Sequence, residues 1–246
     1  MANKLQTILL LLTCASAFSF HVPTTTNKKR SYSPILSSRD RVTTSNIPLN
    51  AFFFRSSSET KQDAAAAAAK AKELKDSIRQ LSKGTSNGIA APESTRDEIA
   101  TLCKELEKMN KVKNIASSTK MDGSWNLVYT TNEGSSAGKL GPFTGEVEQA
   151  IRILGREENP EYINYVRLGG GLVEGALGAS WDVLSNNKWL VKFETLQFRI
   201  LGIKVVEKEL SAQGVWRMEY LDDDFRILYA AGGVNVPKEN VYILSK

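Results

Sequence analysis

Gly123-Ser124-Trp125-Asn126-Leu127-Val128-Tyr129-Thr130 is the stretch on which the reading of the fold turns. Before it, apolar residues recur three or four positions apart. From Gly123 they recur at every second position, with Trp125, Leu127 and Tyr129 on one side and Asn126, Val128 and Thr130 on the other. A period of two belongs to a strand with one buried face. Comparable runs follow at 146–154, 162–168, 172–184, 189–200, 203–210, 215–220, 225–230 and 240–244. Turn formers separate them: Glu158-Asn159-Pro160, Gly169-Gly170-Gly171, Asn186-Asn187, Gly202, Gly214, the aspartates 222–224 and Pro237. Eight or nine short strands with mostly short links predict an antiparallel, up-and-down, lipocalin-like β-barrel over 121–246. One strand changes phase. Odd positions are apolar in 189–193, whereas Leu196, Phe198 and Ile200 put the apolar side on even positions. Either a bulge near Glu194 and Thr195 re-aims the side chains, or Glu194 tolerates a wet face.

Upstream, over 61–120, the pattern is helical, so the fold class is mainly β with N-terminal helices (α+β). Alanines 64–69 favour helix, Leu74, Ile78 and Leu81 form one apolar stripe, and Gly84 is a natural stop. A second helix is punctuated by Pro92 and by Thr95 with Glu98 as a capping box, and Ile99, Leu102, Leu106 and Met109 share a face. Cys103 beside that stripe reads as a half-buried, inert thiol.

The N-terminus reads as an address. Lys4, the apolar run from Ile8 to Leu12 and the small residues Ala15-Ser16-Ala17 make a signal peptide over 1–17. The run is well short of the roughly 20 residues that span a bilayer. Residues 18–60 are rich in Ser and Thr, basic and poor in acids, the composition of a transit peptide. The two in series, joined at Ala17-Phe18, resemble the bipartite presequences that address plastids bounded by extra membranes, as in diatoms. Residues 1–60 hold seven Lys or Arg against Asp40 and Glu59, which accounts for the whole formal charge of +5. The remaining 186 residues balance 25 basic against 25 acidic groups, so the basic pI does not argue for nucleic acid.

Reactive side chains are scarce beyond residue 60. The single histidine, His21, and Cys14 both lie before it, leaving Cys103 alone. An internal disulfide, a Cys/His zinc site and Ser-His or Cys-His nucleophiles are thereby excluded from that part, and no cofactor or metal is expected. The acids 222–224 with Glu219 lack the alternation and closing glutamate of a calcium loop and read as a solvated hairpin turn. Glycines 169–171 lack the spacing of a phosphate loop. What remains is apolar surface: Trp125, Tyr129, Tyr165, Trp181, Phe193, Phe198, Trp216, Met218 and Tyr220 are the candidate lipid-binding side chains. They line either a packed core or a ligand-holding lumen, since an eight-stranded barrel is wide enough for one or the other.

The run from Met121 to Asn132 resembles the first barrel strand of the plastid lipid-associated proteins, or plastid fibrillins, with their D-G-x-W-x-L-x-Y-T-T pattern. Glu73-Leu74-Lys75 and Glu105-Leu106-Glu107-Lys108-Met109-Asn110 are similar to that family's helices, and Gly145 to Ile151 to its second strand. Tyr220-Leu221-Asp222-Asp223-Asp224-Phe225-Arg226-Ile227 resembles its closing motif. The residues carrying the likeness are Gly123, Trp125, Tyr129, Thr130, Asp222, Asp224 and Arg226. The chain departs from the family at Leu228-Tyr229-Ala230, where an Arg-Gly pair is usual, and in the longer loop through Asn235 and Pro237; between Trp181 and Gly202 no distinctive match is found. The resemblance implies a non-catalytic plastid protein on plastoglobules or thylakoids that binds prenylquinones, carotenoids or acyl lipids. The alternative it implies is an accessory subunit for an isoprenoid-quinone enzyme or for photosystem assembly. Catalysis by carboxylates or by Tyr and Ser groups is the third and least supported reading.

Overall fold

The computed structural model describes residues 57–156, 159–232 and 238–246. The expected signal peptide, the transit peptide up to residue 56 and the loop through Asn235 and Pro237 lie outside the described residues. Among the described residues two helices come first, α1 (Ser57–Ser82) and α2 (Glu93–Glu107). The alanine run carries the exposed half of α1, and Leu74 and Ile78 bury the other half. In α2 the stripe of Ile99, Cys103 and Leu106 is buried as well. Its start differs from the expectation. Pro92 is the N-cap, and its carbonyl accepts the Arg96 N–H at 3.0 Å. Proline has a fixed φ and no N–H to leave unpaired, so it starts the helix at Glu93. Thr95 then falls inside the first turn, and the Thr95–Glu98 capping box does not form. Cys103 is fully rather than half buried, and desolvation pushes its thiol up to about 12, which keeps it protonated and unreactive.

Among the described residues ten strands follow: β1 (Gly123–Thr130), β2 (Lys139–Leu140), β3 (Phe143–Thr144), β4 (Glu146–Arg152), β5 (Glu161–Leu168), β6 (Val173–Ser185), β7 (Lys188–Ile200), β8 (Ile203–Leu221), β9 (Phe225–Ala231) and β10 (Glu239–Ser245). β1 and β4 to β10 pair antiparallel in chain order, and β10 returns to β1, closing an eight-stranded up-and-down barrel. β2 and β3 form a separate ribbon. The fold class read from the sequence holds. Two runs expected to be separate, 203–210 and 215–220, are the single strand β8, because Gly214 lies in the ladder opposite Val191 and is no turn. The ladder is tight there, since a Cβ would stand 3.1 Å from the Ala231 carbonyl oxygen. The phase change in β7 is a bulge: against the adjacent Ala179 and Gly178 of β6 the pairing steps from Phe193 to Thr195 and leaves Glu194 as the extra residue.

The helices pack on the outside of the barrel. Leu74, Ile78, Ile99 and Leu106 meet Tyr129, Tyr220, Phe225, Ile227 and Ile243 in one buried cluster. A latch holds them there. In the loop between α1 and α2 the Asn87 carbonyl accepts the Thr130 N–H at 2.9 Å, and the Asn87 amide donates to the carbonyls of Ala137 and Gly145, both at 2.9 Å. Gly88 passes so close to β1 that a Cβ would fall 2.1 Å from the Thr130 carbonyl oxygen. Gly84 in the same loop also has positive φ, but a Cβ there meets nothing within 4 Å. Both Gly→Ala changes carry left-handed strain of about 1 to 2 kcal/mol, and only Gly88→Ala adds a clash with backbone. Gly88→Ala is therefore expected to lower the melting temperature clearly more than Gly84→Ala; equal melting of the two variants would show that the latch does not hold the helices.

Candidate functional site

The barrel has a closed end and an open end. After α2 the chain crosses the closed end in two short turns, Ile115–Ser117 and Thr119–Met121, whose Ile115, Ala116 and Met121 join the interior cluster. Two indoles pin this plug. The Trp189 N–H donates to the Ala116 carbonyl at 2.8 Å, and the Trp125 N–H donates to the Met121 carbonyl at 2.9 Å. Behind the plug Trp181 stacks on Trp189 at 4.5 Å, Trp189 lies 6.3 Å from Trp216, and Tyr162 meets Trp216 edge-on at 5.0 Å. Aromatic packing of this kind fills the lower lumen with side chains.

One charged group sits inside this apolar floor. Arg226 is 1% exposed, with its guanidinium 4.9 Å from the centre of the Trp125 ring. Its Nη2 donates to Gln149 Oε1 at 2.5 Å, and among the described residues its Nε has no hydrogen-bond partner and no carboxylate pairs with it. Burial pulls its pKa down to about 9, so the cation persists at neutral pH without an ion-pair partner.

The upper half of the lumen is different. β8 pairs with β9 only from Val215 onward, so among the described residues its first twelve residues, 203–214, pair with β7 alone. β1 likewise pairs with β4 only over Gly123–Asn126. The barrel is therefore splayed at this end, and only part of the rim is covered, where Leu140 of the ribbon packs on Val147 and Val166. The register puts Val173 and Leu177 of β6 and Leu196 and Phe198 of β7 on the inner face, each 6% to 9% exposed. On β8, Val206 opposite Phe198 is 36% exposed, Ile203 opposite Ile200 is 69% exposed, and Lys208 stands opposite Leu196. Buried apolar residues of β6 and β7 thus face an exposed stretch of β8.

Six of the nine candidate side chains, Trp125, Trp181, Phe193, Phe198, Trp216 and Met218, lie on the inner face or in its cluster. The structure does not bring Tyr129, Tyr165 and Tyr220 to it. In β1 the pairing with β10 slips between Leu127 and Tyr129, and in β8 the pairing with β9 slips between Met218 and Tyr220. Each bulge turns its tyrosine outward, under the helices. Tyr165 is on the outer face of β5, with the Arg167 guanidinium 4.4 Å from its ring, and lines an outer groove of about 300 Å³. That groove is polar and internally bonded: Ser180 donates to Glu194 at 2.5 Å, and Arg199 lies 2.9 Å from Glu174. The inner-facing groups that sequence reasoning missed are Tyr162, Gln149 and Asn164, in register across β4, β5 and the plugged floor. The one available signal was that Tyr162 and Val166 share a phase.

The acids 222–224 are more than a solvated turn. Asp222 Oδ1 accepts the N–H groups of Asp224 at 3.1 Å and Phe225 at 2.8 Å, shaping the β8–β9 hairpin. Lys75 of α1 pairs with Asp222 at 2.9 Å and also with Asp224, and Arg79 pairs with Asp224 at 2.7 Å. Burial alone would push the Asp224 carboxyl up, but hydrogen bonds from Lys75 and Arg79 outweigh it and hold it at about 2. These motif residues dock a helix and face away from the lumen. Gly123 has φ +125 at the start of β1, and the Thr130 hydroxyl donates to the Val241 carbonyl at 2.6 Å. The motif thus marks the barrel seam, the helix dock and, through Trp125 and Arg226, the floor.

Residues 72–236 match the family model PAP_fibrillin. The chain belongs to the PAP/fibrillin family. The match runs from the buried half of α1 past the end of β9, and β10, which closes the barrel, lies beyond it. No curated protein and no solved structure matches the chain. Family and barrel together fit a lipid-associated plastid protein.

Proposed function

We propose that this PAP/fibrillin protein binds a hydrophobic plastid molecule, of the prenylquinone, carotenoid or acyl-lipid class, in the open half of its barrel. It does so at a plastoglobule or thylakoid surface and without converting its ligand. The observation that supports the reading is the pair of exposed apolar residues on β8, Val206 opposite Phe198 and Ile203 opposite Ile200, beside the buried apolar face of β6 and β7. Covering such surface is worth about 25 cal/mol per Å². It is also the main driving force on offer, because the chain beyond residue 60 has no net charge with which to attract an ionic ligand. Affinity is therefore expected to change little with salt.

The test is lipid extraction and mass spectrometry of the protein purified from its own plastids, set beside the same protein made without plastid lipids. A prenyl or acyl lipid enriched near one per chain is the expected result. No enriched hydrophobic molecule, together with a stoichiometric enzyme partner in the purified material, would replace this reading with that of an accessory subunit for quinone synthesis.

A further inference from the structure

At the open end two turns lie side by side and present apolar tips. β7 and β8 are joined by Leu201-Gly202 alone, between the paired Ile200 and Ile203, and both turn residues have positive φ, +51 and +79. This is the type I′ hairpin turn, whose first position favours Asn or Gly. Leucine is poorly suited to that conformation and here is 70% exposed, so neither the turn nor any packing accounts for it. Ile203 beside it is 69% exposed. The neighbouring β5–β6 turn ends on Leu172, 57% exposed, and the Leu201 N–H donates to the Leu172 carbonyl at 2.8 Å, tying the two tips together.

The charges around the tips neutralise one another. Arg167 pairs with Glu148 and Glu174, Arg199 with Glu174, and Lys204 with Glu207. A convex cluster of three side chains falls far short of the roughly 800 Å² per partner that a stable protein interface buries. It suits a deformable phase that single side chains can enter, and the paired charges suit a phase without net charge. We propose that Leu172, Leu201 and Ile203 form a wedge that inserts into an uncharged lipid surface and sets the open end of the barrel against it. For the nature of that phase the proposal rests on the lipid-binding reading above. Its consequence is that a ligand passes between the lipid phase and the lumen along the exposed stretch of β8, without crossing water.

The test is co-flotation of the full chain with vesicles of net-neutral phosphatidylcholine, comparing the protein with its Leu172→Ser/Leu201→Asn variant, which leaves the inner wall of β8 untouched. Leu9→Ser and Leu11→Ser are placed in both so that the N-terminal apolar run contributes to neither. Asn suits the first position of the β7–β8 turn and Ser suits the exposed β5–β6 turn, so the variant is expected to melt no lower than its parent. Its partition onto vesicles is expected to fall at least tenfold, while raising salt from about 0.05 to 0.5 M changes the parent's partition less than twofold, since surface charge is not what binds. Undiminished flotation of the variant, or no flotation of the parent, overturns the wedge. So does loss of flotation in high salt. A parent that is dimeric by sedimentation, with a monomeric variant, would make this end an interface between copies instead. Binding of a fluorescent fatty acid in vesicle-free solution keeps the two readings apart. Lost flotation with unchanged ligand binding supports the wedge, whereas flotation without any ligand binding sinks the lumen reading alone.

Discussion

Trp125→Ala is expected to cost about 3 to 5 kcal/mol, the usual penalty for truncating a buried tryptophan, against a total stability of about 5 to 15 kcal/mol. The side chain is 0% exposed, and three contacts converge on it. Its indole N–H holds the plug through the Met121 carbonyl, Arg226 lies 4.9 Å over the ring, and Lys246 at the end of the chain lies 4.4 Å from it. Truncation frees the plug, leaves the Arg226 cation facing a void and loosens the junction of β1 with the chain end. For a chain of this size 3 kcal/mol corresponds to a fall of roughly 6 to 12 °C in melting temperature. Thermal unfolding followed by far-UV circular dichroism measures it, and an unchanged midpoint would mean that the indole does not bear on the closed end. Trp181→Ala is the control, since Trp181 is only partly buried and donates to no plug carbonyl.

The contrast between these two tryptophans shows what could be read from the sequence. Alternation from Gly123 onward located the strands and their chain order, because one buried face forces a period of two on each of them. It placed Trp125 inside for the same reason. Tyr129 and Tyr220 continued the phase of Trp125 and of Trp216 and Met218, yet they face the helices. A bulge at each site shifts the phase by one residue, and Val128 and Glu219 carry no glycine or other mark of a bulge. Hydrophobicity could not separate the two sides, since both faces of the barrel are buried there, one by its own lumen and one by α1 and α2. In β7 the bulge was legible as a change of phase, because its outer face is solvated. The plug at 115–121 was invisible for another reason: its turns are held by indole N–H groups of residues far along the chain, and no local pattern announces that.

Arg226 provides the sharpest test of the floor, because its neighbours make the sign of each change predictable. Gln149→Leu removes the only oxygen that accepts from the guanidinium among the described residues and leaves a buried cation with an aromatic face and a thioether for company. Taking the only amide acceptor from a buried cation costs about 3 kcal/mol, so this variant is expected to approach the damage of Trp125→Ala. Arg226→Met leaves a neutral amide unpaired instead, at about 1 to 3 kcal/mol, and keeps the stem that covers the tryptophan. The double variant, Gln149→Leu with Arg226→Met, removes both polar groups at similar volume and is expected to recover most of the loss, since replacing a buried polar pair by apolar groups is often neutral. Urea unfolding of the four proteins gives the coupling energy directly, and a value above about 2 kcal/mol is the expected outcome. Additive losses would mean that water reaches the guanidinium and that the floor is open. A fully recovered double variant would show that the fold does not need this cation, and would direct attention to whether lipid binding does.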